Sequence, residues 1–184
     1  MNLVKIKENN IRSREFWLKV PILATKLRPW LIDSSSLTLR LQKRFGKFVV
    51  MPVAINYAKL TQDEAVLLSQ PYYKIALIRD VLLMGDNYPV VFAHSILPKP
   101  SFRGSWNKLS QLGNKPLGAT LFANPKVKRT PLRFKKITSN HLLYKRATQH
   151  LLEKPNYLWA RRSIFSLNCT NIMVTEVFLS QIAG

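Results

Sequence analysis

Residues 73–83, YKIALIRDVLL, have the alternation of a β-strand, in which every second side chain lies on the same face. The face that begins with Tyr73 is apolar except for Arg79. Residues 172–179, IMVTEVFL, repeat this arrangement with Glu176 as the lone charge among apolar side chains. Burial of an unpaired charge is so costly that proteins pair it or change its ionisation. The two stretches therefore predict a sheet whose inner face carries one cation and one carboxylate.

Two interpretations of these charges are open. Arg79 and Glu176 can neutralise each other as a buried pair, which is weak evidence of stability because apolar replacements often serve as well. They can instead belong to a binding site, where perturbed charges cluster. An arginine offers a fork to a carboxylate, and a carboxyl group among apolar side chains retains a proton more readily. As a site, the two residues suit a small organic acid that also has a hydroxyl group.

The rest of the chain predicts an α+β fold, with a mainly antiparallel β-sheet and short flanking helices. Strand patterns are joined by turn signals, of which Gly85-Asp86-Asn87 is the clearest. Short helices are indicated by capping residues such as the serines at 34–36 and the Thr61/Glu64 capping box. The strands are predicted at 48–57, 73–83, 89–97, 126–138, 157–167 and 171–180, and helices begin near 37, 62 and 139, the last running to about 154. We expect a single domain over residues 1–184, with residues 1–29 as a basic N-terminal extension.

The formal net charge of +20 is concentrated in two blocks. Residues 1–60 contain 12 Lys/Arg against 3 Asp/Glu, and residues 124–162 contain 11 against 1. Such blocks suit a nucleic-acid backbone, an anionic membrane or an anionic metabolite. The sequence has no zinc-finger spacing, aromatic RNA-binding motif or long basic helix, so we do not expect nucleic acid to be the partner. A basic surface that keeps the protein dispersed is the simplest explanation.

Cysteine and histidine usage bears on the compartment and on metals. The single cysteine, Cys169, excludes a disulfide framework, and no histidine has metal-ligand spacing with it. No apolar run approaches the roughly 18 residues of a membrane span, and the first residues lack a signal-peptide pattern. We therefore expect a cytoplasmic protein without a metal site. We also expect the protein to be a monomer.

Three further residues are candidates for the site. His94 shares its strand face with apolar residues, so it is either a hydrogen-bonded interior histidine or part of the site lining. Arg161 and Arg162 are adjacent and must point to opposite faces of a strand. We expect at most one of these arginines to be buried.

Five blocks in order resemble bacterial chorismate–pyruvate lyase. They are IRDVLL at 78–83, VFAHSILP at 91–98, LGNKPLGATLF at 112–122, LWARRS at 158–163 and VTEVFL at 174–179. The likeness extends from about Trp30 to Leu179. It implies a mainly antiparallel fold and an enzyme that needs no cofactor and converts chorismate to 4-hydroxybenzoate and pyruvate, at the start of ubiquinone synthesis.

The resemblance also implies roles for individual residues. Arg79 matches the family's carboxylate-binding arginine, and Glu176 matches its glutamate near the ring hydroxyl. Leu37 and Leu117 match two flap positions whose backbone N–H groups bind the same carboxylate. His94 stands where the family commonly has an arginine, and as a receptor for the second carboxylate of the substrate it would act only when protonated.

Two other possibilities follow from the same likeness. Effector-sensing domains of certain transcription regulators are similar to the lyase, so a non-catalytic module that binds small aromatic acids is the alternative. The basic blocks also suggest weak docking of the lyase on an anionic membrane surface.

Overall fold

The computed structural model describes residues 16–22, 24, 26–99, 106, 109 and 113–183. The helices in these ranges are α1 Arg28–Ile32, α2 Leu37–Arg44, α3 Gln62–Leu67, α4 Leu117–Ala123 and α5 Leu142–Thr148, followed by a 3₁₀ helix at Ser180–Ala183. The strands are β1 Phe48–Lys59, β2 Ile75–Gly85, β3 Tyr88–Pro98, β4 Lys128–Arg129, β5 Arg133–Ile137, β6 Leu158–Leu167 and β7 Thr170–Phe178. Among the described residues, no helix is long and apolar enough to span a membrane.

The strands form one antiparallel sheet, which confirms the predicted α+β class. Their order is β1-β2-β3-β7-β6-β4, and β5 also pairs with β6. Two tight hairpins join the central strands, and each turns through residues in the left-handed region: Asp86 and Asn87 between β2 and β3, and Asn168 and Cys169 between β6 and β7. Two successive positive φ angles match the right-handed twist of a hairpin.

Both faces of the central strands are buried. On one face, Val81 of β2 and Trp159 of β6 pack with Leu41 of α2. On the other face, Leu82 of β2 packs with Ala147 of α5. A sheet covered on both sides leaves no solvated face for charged residues, so their side chains need partners inside the protein.

The double covering explains why one prediction about the tandem arginines is wrong. Arg161 and Arg162 do point to opposite faces, but both are buried, at 1% and 7% exposure. Arg162 is paired with Asp63 of α3, and its guanidinium lies 4.1 Å from the ring centroid of Trp17. Arg161 and Arg162 therefore lie on different faces, and each has its own carboxylate partner, Glu176 and Asp63.

Helices α2 and α4 lie against each other over the face that carries Val81. Ser36 caps α2 by accepting a hydrogen bond from the Leu39 N–H, as the run of serines predicts. Gly118 allows the close approach of the two helices, because a Cβ atom at this position would lie 3.0 Å from Thr38 Oγ1. The pair forms a lid of side chains and helix N-termini over the sheet.

Candidate active site

A cavity lies between the sheet and the lid formed by α2 and α4. Strand alternation and register bring Arg79 of β2, Ser95 of β3 and Glu176 of β7 to the same face. The remaining lining is mostly apolar and comprises Leu37, Thr38, Val50, Val81, Leu83, Ala93, Pro116, Leu117, Gly118, Leu121, Phe122, Arg129, Phe165 and Val174. An apolar enclosure with a few convergent polar groups is the usual form of a small-molecule site.

Arg79 is a buried cation with unused hydrogen-bonding capacity. It is 3% exposed, and its Nη2 donates to the carbonyl oxygens of Gly113 and Lys115 at 2.9 and 3.0 Å. Its Nε is buried and has no acceptor among the described residues, none of which forms an ion pair with it. Burial lowers the pKa of the Arg79 guanidinium. An orphaned charged donor at a cavity wall is the arrangement expected for a group that awaits an anionic ligand.

Glu176 is held in place by Arg161. Its Oε2 accepts a hydrogen bond from Arg161 Nε at 2.5 Å, while Arg161 Nη1 donates to the carbonyl oxygens of Trp30, Leu31 and Asp33 at 2.8, 3.2 and 2.6 Å. Arg161 is thus immobilised from two sides. The Oε1 atom of Glu176 accepts no hydrogen bond from the part of the chain that the structure describes.

Arg79 and Glu176 do not neutralise each other. Glu176 pairs with Arg161 across β6 and β7, whereas Arg79 lies on β2, two strands away from Glu176. Two strand spacings correspond to about 10 Å. Arg79 and Glu176 therefore lie on opposite sides of one cavity, and the interpretation as a mutual ion pair is wrong.

Leu37 and Leu117 complete the predicted set around this cavity. They are the first residues of α2 and α4, where backbone N–H groups have no acceptor within the helix. Neither N–H group donates to another described residue. The lining of the cavity thus includes Arg79, Glu176, Leu37 and Leu117.

Comparison with known proteins assigns the sequence to a family. A family model described as "Chorismate lyase" matches residues 12–183. The chain belongs to the chorismate lyase family. A relative from Nitrosospira multiformis named "Probable chorismate pyruvate-lyase" is 46% identical over 161 residues, covering 87% of this chain and 89% of the relative. A relative of the same name from Nitrosomonas eutropha is 46% identical over 167 residues, covering 90% and 94%.

Solved structures show how widely the fold of the chorismate lyase family occurs. The effector domain of PhnF from Mycobacterium smegmatis matches with a TM-score of 0.56 at 13% identity, covering 80% of this chain and 90% of that domain. A GntR-family regulator from Bacillus cereus matches with a TM-score of 0.55 at 13% identity, covering 74% and 94%. At this identity the likeness concerns the fold alone. The family match favours the lyase over the effector-sensing alternative.

His94 and Arg162 are candidates that the structure does not bring to the cavity beneath α2 and α4. In the β2–β3 register, Arg79 is opposite Ser95, whereas His94 is opposite Asp80, so His94 and Asp80 point to the other face of the sheet. There, His94 Nδ1 lies 2.6 Å from Asp80 Oδ1, and His94 Nε2 lies 3.5 Å from Glu64 Oε1. The expectation that His94 contacts the second carboxylate of the substrate is therefore wrong. His94 belongs instead to an interior ion-pair network.

The acids near His94 shift its titration. Burial opposes the charged form, but the hydrogen bonds and negative charges of Asp80 and Glu64 outweigh it, and the pKa of His94 is raised above 6.5. Burial favours the neutral form of Glu64. Its hydrogen bonds with His94 and Thr61 favour the charged form more strongly, so the pKa of its carboxyl group is lowered. Within the described ranges, no group of three or more His, Cys, Asp or Glu residues is arranged to hold a metal ion.

Sequence reasoning missed one arginine that lines the cavity beneath α2 and α4, Arg129. Arg129 lies in the basic segment 126–138, where nothing in the pattern distinguishes it from the neighbouring lysines and arginines. Of the two tandem candidates, Arg161 is the one that contacts Glu176. It lies on the same strand face as Trp159 and Phe165, as Arg79 does among its apolar neighbours. A lone cation on an apolar strand face thus indicated an interior charged residue for Arg161 as it did for Arg79.

Proposed function

We propose that this protein is a chorismate pyruvate-lyase, converting chorismate to 4-hydroxybenzoate and pyruvate and so feeding ubiquinone synthesis. The observation that supports it most is Arg79, whose buried Nε lacks an acceptor among the described residues, at the wall of a cavity with Glu176 on the opposite side. A ring that has a carboxylate at one end and a hydroxyl at the other suits these two groups. Membership of the chorismate lyase family adds to this geometric argument.

In this proposal Arg79 binds the ring carboxylate. The free N–H groups of Leu37 and Leu117, at the N-termini of α2 and α4, donate to the same carboxylate. Glu176 uses Oε1 to accept a hydrogen bond from the ring hydroxyl, while Arg161 holds Oε2. The role of Glu176 is therefore to orient the ring, and to receive a proton only transiently.

The reaction needs positioning more than chemical groups. Loss of the hydrogen at C4 of chorismate and cleavage of the bond between C3 and the ether oxygen make the ring aromatic, while the C4 hydroxyl stays. The ether oxygen leaves with the enolpyruvyl group, which gains one proton to become pyruvate. Enclosure beneath α2 and α4 excludes water and fixes the ring, so that elimination proceeds within one bound geometry. We expect no metal or nucleotide to be required.

The test is turnover of chorismate by the purified protein in the presence of a metal chelator and without added nucleotide. We expect 4-hydroxybenzoate and pyruvate in equal amounts, measured by absorbance after chromatography and by a coupled pyruvate assay. Formation of neither product above the spontaneous rate at neutral pH would contradict the proposal. Saturable binding of 4-hydroxybenzoate without turnover would instead favour the effector-binding alternative.

We also propose that the protein is a cytoplasmic monomer that docks weakly on anionic membranes. The support is the basic composition of residues 1–60 and 124–162. Sedimentation with vesicles should increase with the fraction of anionic lipid and decrease with salt, and equal sedimentation with zwitterionic vesicles would contradict docking. Light scattering should give the mass of a single chain.

A further inference from the structure

A second arginine lines the cavity from the side opposite Arg79. Arg129 of β4 donates from Nε to Ser163 Oγ and from Nη1 to the carbonyl oxygen of Ser34, both at 2.8 Å. Its Nη2 has no acceptor among the described residues, and none of their carboxylates forms an ion pair with it. The guanidinium is therefore held in a fixed orientation, with one nitrogen unused.

The position of Arg129 relative to Arg79 and Glu176 is set by the strand order. Arg79 lies on β2, Glu176 on β7 and Arg129 on β4, which is beyond β6. Glu176 thus lies between the two arginines, on the Arg129 side of the cavity. Burial lowers the pKa of the Arg129 guanidinium, and the negative charge of Glu176 opposes this shift, although the two groups do not form an ion pair.

Aromatic rings and an outer groove complete the environment of Arg129. The rings of Phe122 and Phe165 lie 5.4 and 5.1 Å from its guanidinium carbon, a distance at which the ring faces attract a cation. Arg129 and Phe122 also line an open groove together with Lys19 and Arg28. The guanidinium is accordingly shared between the enclosed cavity and a basic surface from which an anion can approach.

The chemistry of chorismate provides a ligand for this second cation. Chorismate carries two carboxylates, one on the ring and one on the enolpyruvyl group, whereas 4-hydroxybenzoate carries only the first. The enolpyruvyl ether is attached at C3, next to the C4 hydroxyl. When Arg79 binds the ring carboxylate and Glu176 binds the hydroxyl, the second carboxylate must lie on the Glu176 side.

From this placement we propose that Arg129 binds the enolpyruvyl carboxylate and thereby distinguishes the dianionic substrate from the monoanionic product. The proposal rests on the proposed function and adds a specificity residue to it. An arginine with one nitrogen free and two anchored meets a carboxylate with little loss of side-chain entropy. After the C3–O ether bond breaks, the carboxylate bound to Arg129 is no longer covalently linked to the ring, so 4-hydroxybenzoate and pyruvate are held by separate cations.

The experiment compares Arg129→Gln, Arg129→Lys and the wild type in two measurements. Arg129→Gln should lower kcat/KM for chorismate by roughly 100-fold, as expected for loss of a charged partner in a desolvated site. The Kd for 4-hydroxybenzoate should change less than about threefold, because that ligand has no second carboxylate. Arg129→Lys should recover part of the loss in kcat/KM, since it keeps the charge but not the fork. Circular dichroism establishes that each variant is folded.

Lys128→Gln is the matched control, because Lys128 is an exposed cation next to Arg129 that does not line the cavity. It should leave both quantities unchanged. An equal loss of chorismate turnover and 4-hydroxybenzoate binding in Arg129→Gln would overturn the proposal and indicate a residue that only supports the lid. Unchanged kcat/KM would overturn it as well. Failure of the wild type to convert chorismate is a separate result, which contradicts the proposed function itself.

Discussion

At the scale of single residues, the most consequential contact is the one between Glu176 and Arg161. Alternation in the sequence was enough to single out Arg79 and Glu176 as interior charges, and both line the cavity. Alternation could not show that Glu176 forms an ion pair with Arg161, because that pairing depends on the register between β6 and β7. An ion pair is a property of two strands in contact, whereas a strand face can be derived from one strand alone.

Replacing Arg161 with methionine should destabilise the protein strongly. The substitution leaves Glu176 without its partner and removes donors from the carbonyl oxygens of Trp30, Leu31 and Asp33. Breaking a buried pair on one side typically costs about 3–5 kcal/mol. The free energy of unfolding, measured by urea denaturation, should fall by that amount. Lys43→Met on the exposed side of α2 is the control, and a loss below about 1 kcal/mol for Arg161→Met would contradict this account.

At the scale of elements, local sequence signals predicted where helices begin better than where they end. The Thr61/Glu64 capping box and the Ser36 cap are both present. The helix expected to run to about residue 154 is α5, which is capped by His141 and ends at Thr148. Leu151 nevertheless packs against the core, so helical spacing of apolar residues persisted beyond the helix. Periodicity reports which side chains are buried and does not by itself report the backbone that buries them.

The network around His94 joins α3 to the sheet and should make stability depend on pH. In the folded state the pKa of His94 is raised above 6.5 and that of Glu64 is lowered below 4.5. The histidine contribution is complete below about pH 6.5 and is lost as the pH rises through the folded value, while the glutamate contribution is complete above about pH 4.5 and is lost on acidification. The free energy of unfolding should therefore be greatest between these limits.

His94→Gln should remove the decline in stability on the alkaline side, measured by urea denaturation across pH 5–9. It leaves Asp80 and Glu64 without their shared cation, so the variant should also be less stable at pH 6. His150→Gln is the control, since His150 is exposed and outside the network. A pH profile of His94→Gln that parallels the wild type would contradict the assignment.

At the scale of the whole molecule, the net charge of +20 does not indicate which cations lie in the interior and which lie on the surface. Arg79, Arg129, Arg161 and Arg162 all lie wholly or partly inside, at the cavity beneath α2 and α4 or in buried ion pairs. Counting charges along the chain could not separate these from the surface cations. The fold class could be derived from composition and strand alternation, whereas the partition of charge between interior and surface required the packed sheet.

The central claim, that the Arg79 cavity is the site of chorismate conversion, is tested most directly by comparing Arg79→Gln with Lys74→Gln. Lys74 is an exposed cation close to the start of the same strand, so it controls for the loss of one charge. Calorimetric titration with 4-hydroxybenzoate should show binding weakened by about 2–5 kcal/mol in Arg79→Gln, with chorismate turnover lost in parallel. Lys74→Gln should match the wild type in both. Wild-type binding and turnover in Arg79→Gln would contradict the account.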